Sequence, residues 1–219
     1  MYAAVSPAAH FAFALAADAA DAARTLTAAE RGEYESLASE ARRRDWLVGR
    51  LAAKRAVARA LGIRGLARIE IAARPGAAPR ALLLDAEGEP HALPLVLSLA
   101  HCDGRAAAAV GPEWVRLGVD VERAGSVGEA RRRYFLAPGE GGGLDAAGLW
   151  TLKEAAWKAL GCDEQLPFRA LTLQLDGAGS LRAVALRGQS FPARATLTTP
   201  WPGYVLAVCS VAATPEELV

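Results

Sequence analysis

Two stretches of this chain share one pattern and thereby limit the folds open to it. Residues 46–54 and 150–158 overlay without gaps, with Trp, a charged residue and Lys at matching positions 104 residues apart. Each stretch has a helical composition, and each is followed by apolar runs between turn residues, which predict a hairpin and further strands. The sequence therefore predicts an α+β fold of two similar half-domains, residues 1–112 and 113–219, related by a pseudo-twofold axis. The cleft between them is the expected site.

Caps, alternation and turns predict the remaining elements. Thr27 and Glu30 have the spacing of a capping box, and Gly62 and Gly161 are placed to end helices over residues 40–61 and 150–160. The tail, residues 215–219, is expected to be disordered. Strands are expected at residues 10–15, 68–71, 81–84, 95–99, 106–110, 116–123, 171–175, 183–186, 195–198 and 204–211.

Composition excludes several classes of function. A chain of 219 residues that is 53% hydrophobic can bury a core, and a net charge of +1 gives no general argument for nucleic-acid binding. The three cysteines lack metal-type spacing, which suits a reducing compartment. The apolar run at residues 8–17 has no basic residue before it, and no run is long enough to span a bilayer. We therefore expect a cytoplasmic protein that binds neither membranes nor nucleic acid.

Four charged residues are the first candidates for chemistry. Glu154 and Lys158 are four residues apart on one helix, so they share a face and can reach one bound group. Asp120 and Glu122 alternate with valines on a strand, so both carboxylates project from the same side. Taken alone, each pair is more typical of an ordinary solvated surface than of a site.

The first half is rich in arginine where the second half has carboxylates. In the overlay, Arg50 takes the place of Glu154, which favours a site that joins a phosphate-bearing ligand to a metal. Arg44, Arg50 and Lys54 are candidates for the anion, whereas Arg42 and Arg43 suit a solvated face. The glycine-rich residues 137–143 lack the Gly-Lys-Ser/Thr of a phosphate loop and are not read as one.

Two motifs in order give a family resemblance. Residues 118–122 read Gly-Val-Asp-Val-Glu, and Trp150, Lys153, Glu154 and Lys158 follow as W-x-x-K-E-x-x-x-K. In this the sequence resembles the 4′-phosphopantetheinyl transferases, specifically the large pseudo-dimeric class that activates surfactin synthetase. Supporting similarity runs from about residue 31 to residue 211, and includes the Ser98-Leu99-Ala100-His101 strand end.

The resemblance implies a Mg²⁺-dependent, monomeric holo-[acyl-carrier-protein] synthase. In such enzymes coenzyme A lies in the cleft, and a carrier-protein serine attacks the β-phosphorus, which releases 3′,5′-ADP. By motif, Asp120, Glu122 and Glu154 resemble the metal ligands, and their hard oxygens suit Mg²⁺, with Mn²⁺ as the alternative. The implied partners are coenzyme A and an apo acyl, peptidyl or polyketide carrier protein.

The resemblance also assigns roles around the cleft. Glu154 is the candidate general base with Glu122 as competitor, and Lys158 is expected to hold a pyrophosphate oxygen. Lys153 either holds phosphate or supports the site. The expected contacts to the nucleotide phosphates and adenine are His101, Arg31, Arg44 and Arg50.

Two positions depart from the family pattern. Ala100 stands where the family usually has Ser, so Ser98 or a backbone N–H has to replace that contact, and Glu89 stands where a basic residue is usual, with Arg80 as a candidate substitute. The basic residues 131–133 are either a docking surface for an acidic carrier protein or a solvated charge run. Two other functions stay open: a Mg²⁺-dependent hydrolase of coenzyme A or another nucleotide pyrophosphate, and a non-catalytic module that binds coenzyme A or a carrier protein.

Overall fold

The predicted capping residues are found at the start of α1 and at the end of α2. In the computed structural model, which describes residues 11–14, 24–73, 77–141, 143–162 and 166–212, Thr27 and Glu30 form the predicted capping box at the start of α1. Gly62 ends α2 in the left-handed conformation. Asp145 caps α4, which therefore starts a turn before the predicted Trp150. The helices are α1 (Ala28–Ser36), α2 (Glu40–Leu61), α3 (Arg132–Phe135) and α4 (Ala146–Ala159).

Eleven strands are described, and each predicted strand overlaps one of them. The strand predicted at residues 68–71 begins one residue later, because Arg68 belongs to a 3-10 turn, and the ends of the strand predicted at residues 10–15 lie outside the described residues. The apolar run at residues 8–17 is described only as the backbone of β1, and the tail at residues 215–219 lies outside the described residues. The strands are β1 (Phe11–Ala14), β2 (Ile69–Ala72), β3 (Arg80–Leu84), β4 (Pro90–Ala92), β5 (Leu95–Cys102), β6 (Arg105–Pro112), β7 (Val115–Arg123), β8 (Leu171–Leu175), β9 (Leu181–Leu186), β10 (Gln189–Thr198) and β11 (Tyr204–Ala212).

The strands form three antiparallel sheets. Their orders are β1-β6-β5, β2-β3-β4 and β7-β11-β10-β9-β8. In the largest sheet, β10 pairs with β9 through its first residues and with β11 through the rest, and the change falls at Pro192. In the first half β4 and β5 are two separate strands, with Leu93 and Pro94 between them. The fold is thus a mixture of sheets and four described helices, as the predicted α+β class requires.

Alternation along the strands builds the core in layers. On β6, Ala106 and Ala108 face α2, whereas Ala107 and Ala109 face the large sheet. β11 alternates in the same way, because Leu206 and Val208 face the first sheet while Ala207 and Cys209 pack with α4. The order of layers is therefore α2, first sheet, large sheet, α4.

The buried side chains between the first sheet and the large sheet form a middle layer, which joins the two halves of the chain. Its buried residues come from β5 and β6 on one side and from β7 and β11 on the other. The end strands β5 and β7 are tied directly, since Val119 N–H donates to Ser98 Oγ at 3.0 Å. This contact fixes the strand that carries His101 beside the strand that carries Asp120.

Candidate active site

A glycine on β7 lets α4 rest directly on the strand. A Cβ at Gly118 would lie 1.8 Å from Ala155 O and 2.6 Å from Ala159 N, so no other residue fits without moving the helix. The valines of β7 point away into the middle layer, and Asp120 and Glu122 therefore lie on the helix side. This close approach brings the acidic face of β7 to the charged face of α4.

Lys158 and Asp120 form the centre of this contact. Lys158 Nζ donates to Asp120 Oδ1 at 2.7 Å and to Val119 O at 3.1 Å. Asp120 is buried, and Lys158 is one-third exposed. Burial raises the pKa of Asp120, and the Lys158 charge opposes the rise. The lysine thus neutralises a strand carboxylate from a helix that is distant in sequence.

The other oxygen of Asp120 has no partner. Its Oδ2 is buried without a hydrogen bond, which is costly for a carboxylate. Desolvation raises the pKa of Glu122 and Glu154 as well, and the Asp120 charge adds to the rise in both cases. Three carboxylates that repel one another around an unpartnered oxygen fit a hard divalent cation by their chemistry.

The carboxylates are near one another but do not form a finished cage. Within the ranges that the structure describes, no three His, Cys, Asp or Glu side chains are close enough to hold a metal ion. Glu122 also accepts hydrogen bonds from Ser126 Oγ, at 3.2 Å, and from the Trp150 side chain. The ligand set of Asp120, Glu122 and Glu154 therefore stays a prediction.

The first half contributes His101 and Arg50. The His101 ring lies against α2, where a Cβ on Gly49 would be 3.6 Å from its Cδ2. Desolvation lowers the pKa of His101, and the charges of Lys158 and Arg50 lower it further. The Asp45 and Asp120 carboxylates act in the opposite direction and raise this pKa. His101 thus feels charges from both halves of the chain. The structure brings it together with Lys158 and Asp120.

A sequence comparison now bears on this arrangement. Residues 116–209 match the family model of the 4′-phosphopantetheinyl transferase superfamily. The matched segment runs from β7 to β11 and contains Asp120, Glu122, Glu154 and Lys158. No match was found among curated proteins. The superfamily match accordingly covers the carboxylate side of the site.

The three arginines expected to bind the nucleotide have different surroundings. Arg50 is buried, with its guanidinium 4.5 Å from the centre of the Trp46 ring, an ion pair to Glu33 at 3.1 Å and a buried Nε without a hydrogen bond. Arg44 is exposed and lies over Gly104. Arg31 is exposed, and its Nη2 donates to Leu26 O at 3.4 Å. Of the three, Arg50 is the one that the electrostatics link to His101.

Lys153 lies in the core rather than at the carboxylates of β7. Its side chain is fully buried, and Nζ donates to both oxygens of Glu140, at 2.7 and 3.0 Å. Glu140 also accepts the backbone N–H groups of Ala137 and Leu173. Of the two predicted roles for Lys153, these contacts favour support of the site over contact with a phosphate.

The first half contains the same arrangement. Lys54 is fully buried and pairs with Glu30, which also accepts the backbone N–H groups of Thr27 and Ile71. In these contacts Lys54 resembles Lys153, whereas the ungapped overlay aligns it with Lys158. Lys54, predicted as an anion contact, is already neutralised by a carboxylate.

Ser98, one of the predicted substitutes for the contact missing at Ala100, lies at the junction of β5 and β7. Its hydroxyl is buried and accepts the Val119 N–H, so it serves the junction of the strands. Sequence reasoning also missed Glu140 and Asp45 as neighbours of the site, and it gave Trp150, a residue of the second motif, no role beside Glu122. The glycine-rich loop around Glu140 was rejected as a phosphate loop, and its single carboxylate offered no separate signal.

Proposed function

We propose that the protein transfers the 4′-phosphopantetheine arm of coenzyme A to a serine of an acyl or peptidyl carrier protein, with release of 3′,5′-ADP. One observation carries the proposal. Within the segment that matches the superfamily, β7 and α4 bring Lys158 into an ion pair with Asp120. The charges of Asp120 and Lys158 also act on the pKa of Glu122 and Glu154.

Two roles in the reaction follow from the carboxylates. Glu154, with Glu122 as the competing candidate, accepts the serine proton as the hydroxyl attacks. The serine Oγ–phosphorus bond forms while the phosphorus–oxygen bond to 3′,5′-ADP breaks. Asp120, Glu122 and Glu154 would hold Mg²⁺, whose charge offsets that of the pyrophosphate.

Cations from both halves bind and orient the pyrophosphate. Lys158 and His101 supply donors at the cleft, and Arg50 supplies a buried guanidinium with a free Nε. The Glu33 carboxylate pairs with Arg50 Nη2 at 3.1 Å and orients the guanidinium. Binding therefore uses groups that are already fixed in direction.

We extend the proposal to the two halves, which we take to be related by a pseudo-twofold axis as in the large pseudo-dimeric class. The support is the repeated order of elements. A short 3-10 turn leads directly into β2 and into β8, and each half has one buried Glu–Lys pair that joins the segment before the helix, the helix and this strand.

Mass spectrometry of apo carrier proteins incubated with coenzyme A and Mg²⁺ tests the function. We expect one carrier of the panel to gain the mass of one phosphopantetheine. Release of phosphopantetheine at equal rates with and without carrier would instead identify a hydrolase. Binding of coenzyme A with no product would identify a binding module.

Variants at the carboxylates test the residues. Asp120→Asn and Glu154→Gln should lower transfer about a hundredfold or more, because each removes a charge that acts at the reacting centre. Glu113→Gln in the exposed turn between β6 and β7 is the control and should transfer normally. Full activity of a folded Glu154→Gln protein would overturn its assignment.

A further inference from the structure

The turn between β5 and β6 is held from the other half of the chain. Asp103 and Gly104 form this turn, two residues after His101. Opposite it, Tyr204 begins β11 and pairs in register with Arg123, the residue after Glu122. The turn thus lies between His101 of the first half and Glu122 of the second half.

A connected set of polar contacts spans this junction. Arg105 Nη1 donates to Tyr204 Oη at 2.8 Å, and Tyr204 Oη donates to Asp103 Oδ2 at 3.2 Å. The Arg105 guanidinium also lies 4.1 Å from the centre of the Tyr204 ring. Arg123 Nε is 3.9 Å from Asp103 Oδ2. One tyrosine hydroxyl therefore links both sides of the β5–β6 turn to the strand beside Glu122.

The turn is held on its own side as well. Gly104 N–H donates to Asp45 Oδ1 of α2 at 2.7 Å. Asp103 has φ of 49°, a left-handed conformation that aspartate tolerates better than most residues. The Tyr204 ring is buried against Trp201, with 6.4 Å between ring centres. The turn is therefore held by α2 on one side and by β11 on the other.

We propose that Asp103, Arg105 and Tyr204 form a clasp that positions His101 relative to Asp120 and Glu122, which makes Tyr204 a positioning residue for the transfer reaction. The inference rests on the proposed function, because it concerns the same site. None of the three residues belongs to the motifs that carry the resemblance. Without the hydroxyl, the turn keeps its link to α2, the contact of Arg105 with the Tyr204 ring and the Arg123–Asp103 ion pair. It loses both hydrogen bonds to Tyr204, so His101 is held less firmly against the carboxylates.

Tyr204→Phe tests the clasp, because it removes the hydroxyl and keeps the ring. We expect the KM for coenzyme A to rise about tenfold, in line with the loss of two linked hydrogen bonds, with a smaller fall in kcat. Amide hydrogen exchange in the segment 101–106 should become faster. Tyr134→Phe is the matched control, since Tyr134 is 65% exposed and its hydroxyl accepts a hydrogen bond from the neighbouring Arg133.

A second variant keeps the test decisive. Asp103→Gly removes the acceptor from an exposed position but is compatible with the left-handed conformation, and it should reproduce the tenfold rise in KM. Asp103→Asn is also compatible with that conformation and retains an acceptor, so its KM should stay close to that of the wild-type protein. The double variant Asp103→Gly/Tyr204→Phe should have a KM no higher than either single variant, because both substitutions break the same connection. Normal KM and normal exchange in Tyr204→Phe, or fully additive effects, would overturn the clasp. Absence of transfer by the wild-type protein would instead reject the proposed function and, with it, this role.

Discussion

Two lysines of one motif, five positions apart on α4, have opposite surroundings. Lys153 is fully buried and held by Glu140, whereas Lys158 is partly exposed and bridges to β7. Helical spacing separates them by more than a turn and gives the direction of each, but it cannot identify a partner in a loop. The burial of Lys153 could therefore not be predicted from its own helix, and the same holds for Lys54 and Glu30.

Substitution of the two lysines should separate stability from activity. Lys153→Met should lower the free energy of unfolding by about 3–5 kcal/mol, because it leaves the Glu140 carboxylate buried without its counter-ion. Lys158→Met should cost less than half of that, since Lys158 is one-third exposed, yet it should abolish transfer. Urea unfolding and a transfer assay measure the two effects. Adding Glu140→Gln to Lys153→Met should recover part of the stability, and equal losses for both lysines would contradict the assignment.

At the scale of elements, sequence signals gave the helix caps and strand alternation but not the packing. The capping box at Thr27, the Gly62 stop and the alternation on β7 are local patterns, and all three are found. The contact of β7 with α4 depends on Gly118, which reads in the sequence as part of a motif rather than as a packing site. The break between β4 and β5 likewise depends on pairing with different strands, which a single strand's pattern does not encode.

A single methyl group at Gly118 should disturb the whole acidic face. Gly118→Ala puts a Cβ against the backbone of α4, which flexible side chains cannot relieve, so the helix has to move. We expect a loss of stability of about 1–3 kcal/mol or more and loss of transfer. Gly128→Ala is the control, because that residue has φ of −71° and open space around it. Thermal unfolding and the transfer assay compare the two variants. A Gly118→Ala protein with the stability and activity of the wild-type protein would contradict the packing of α4 on β7.

At the scale of the whole molecule, the halves share a core. The middle layer takes its buried side chains from β5, β6, β7 and β11, and the Ser98–Val119 and Tyr204–Arg105 hydrogen bonds cross it. None of the described helices is long and apolar enough to cross a membrane. The division at residue 112 predicted from the repeat therefore stays a statement about chain order, while the buried surface is continuous across it.

The shared core predicts that the halves unfold together. We expect a single urea transition in which fluorescence from Trp46 in the first half coincides with fluorescence from Trp150 and Trp157 in the second. Single-tryptophan variants and far-UV circular dichroism measure the midpoints. A fragment of residues 113–219 should aggregate, because it exposes the middle-layer faces of β7 and β11. Separate midpoints, or a stable folded fragment, would show that the halves are independent.

Gly118 changes how loss-of-function variants in such a protein should be interpreted. A chain with Asp120, Glu122, Glu154 and Lys158 all intact can still be inactive if position 118 carries any side chain, because the strand and the helix then stand apart. A survey that scores only charged residues would count that chain as competent. The smallest residue of the motif thus sets whether the charged ones count as a site at all.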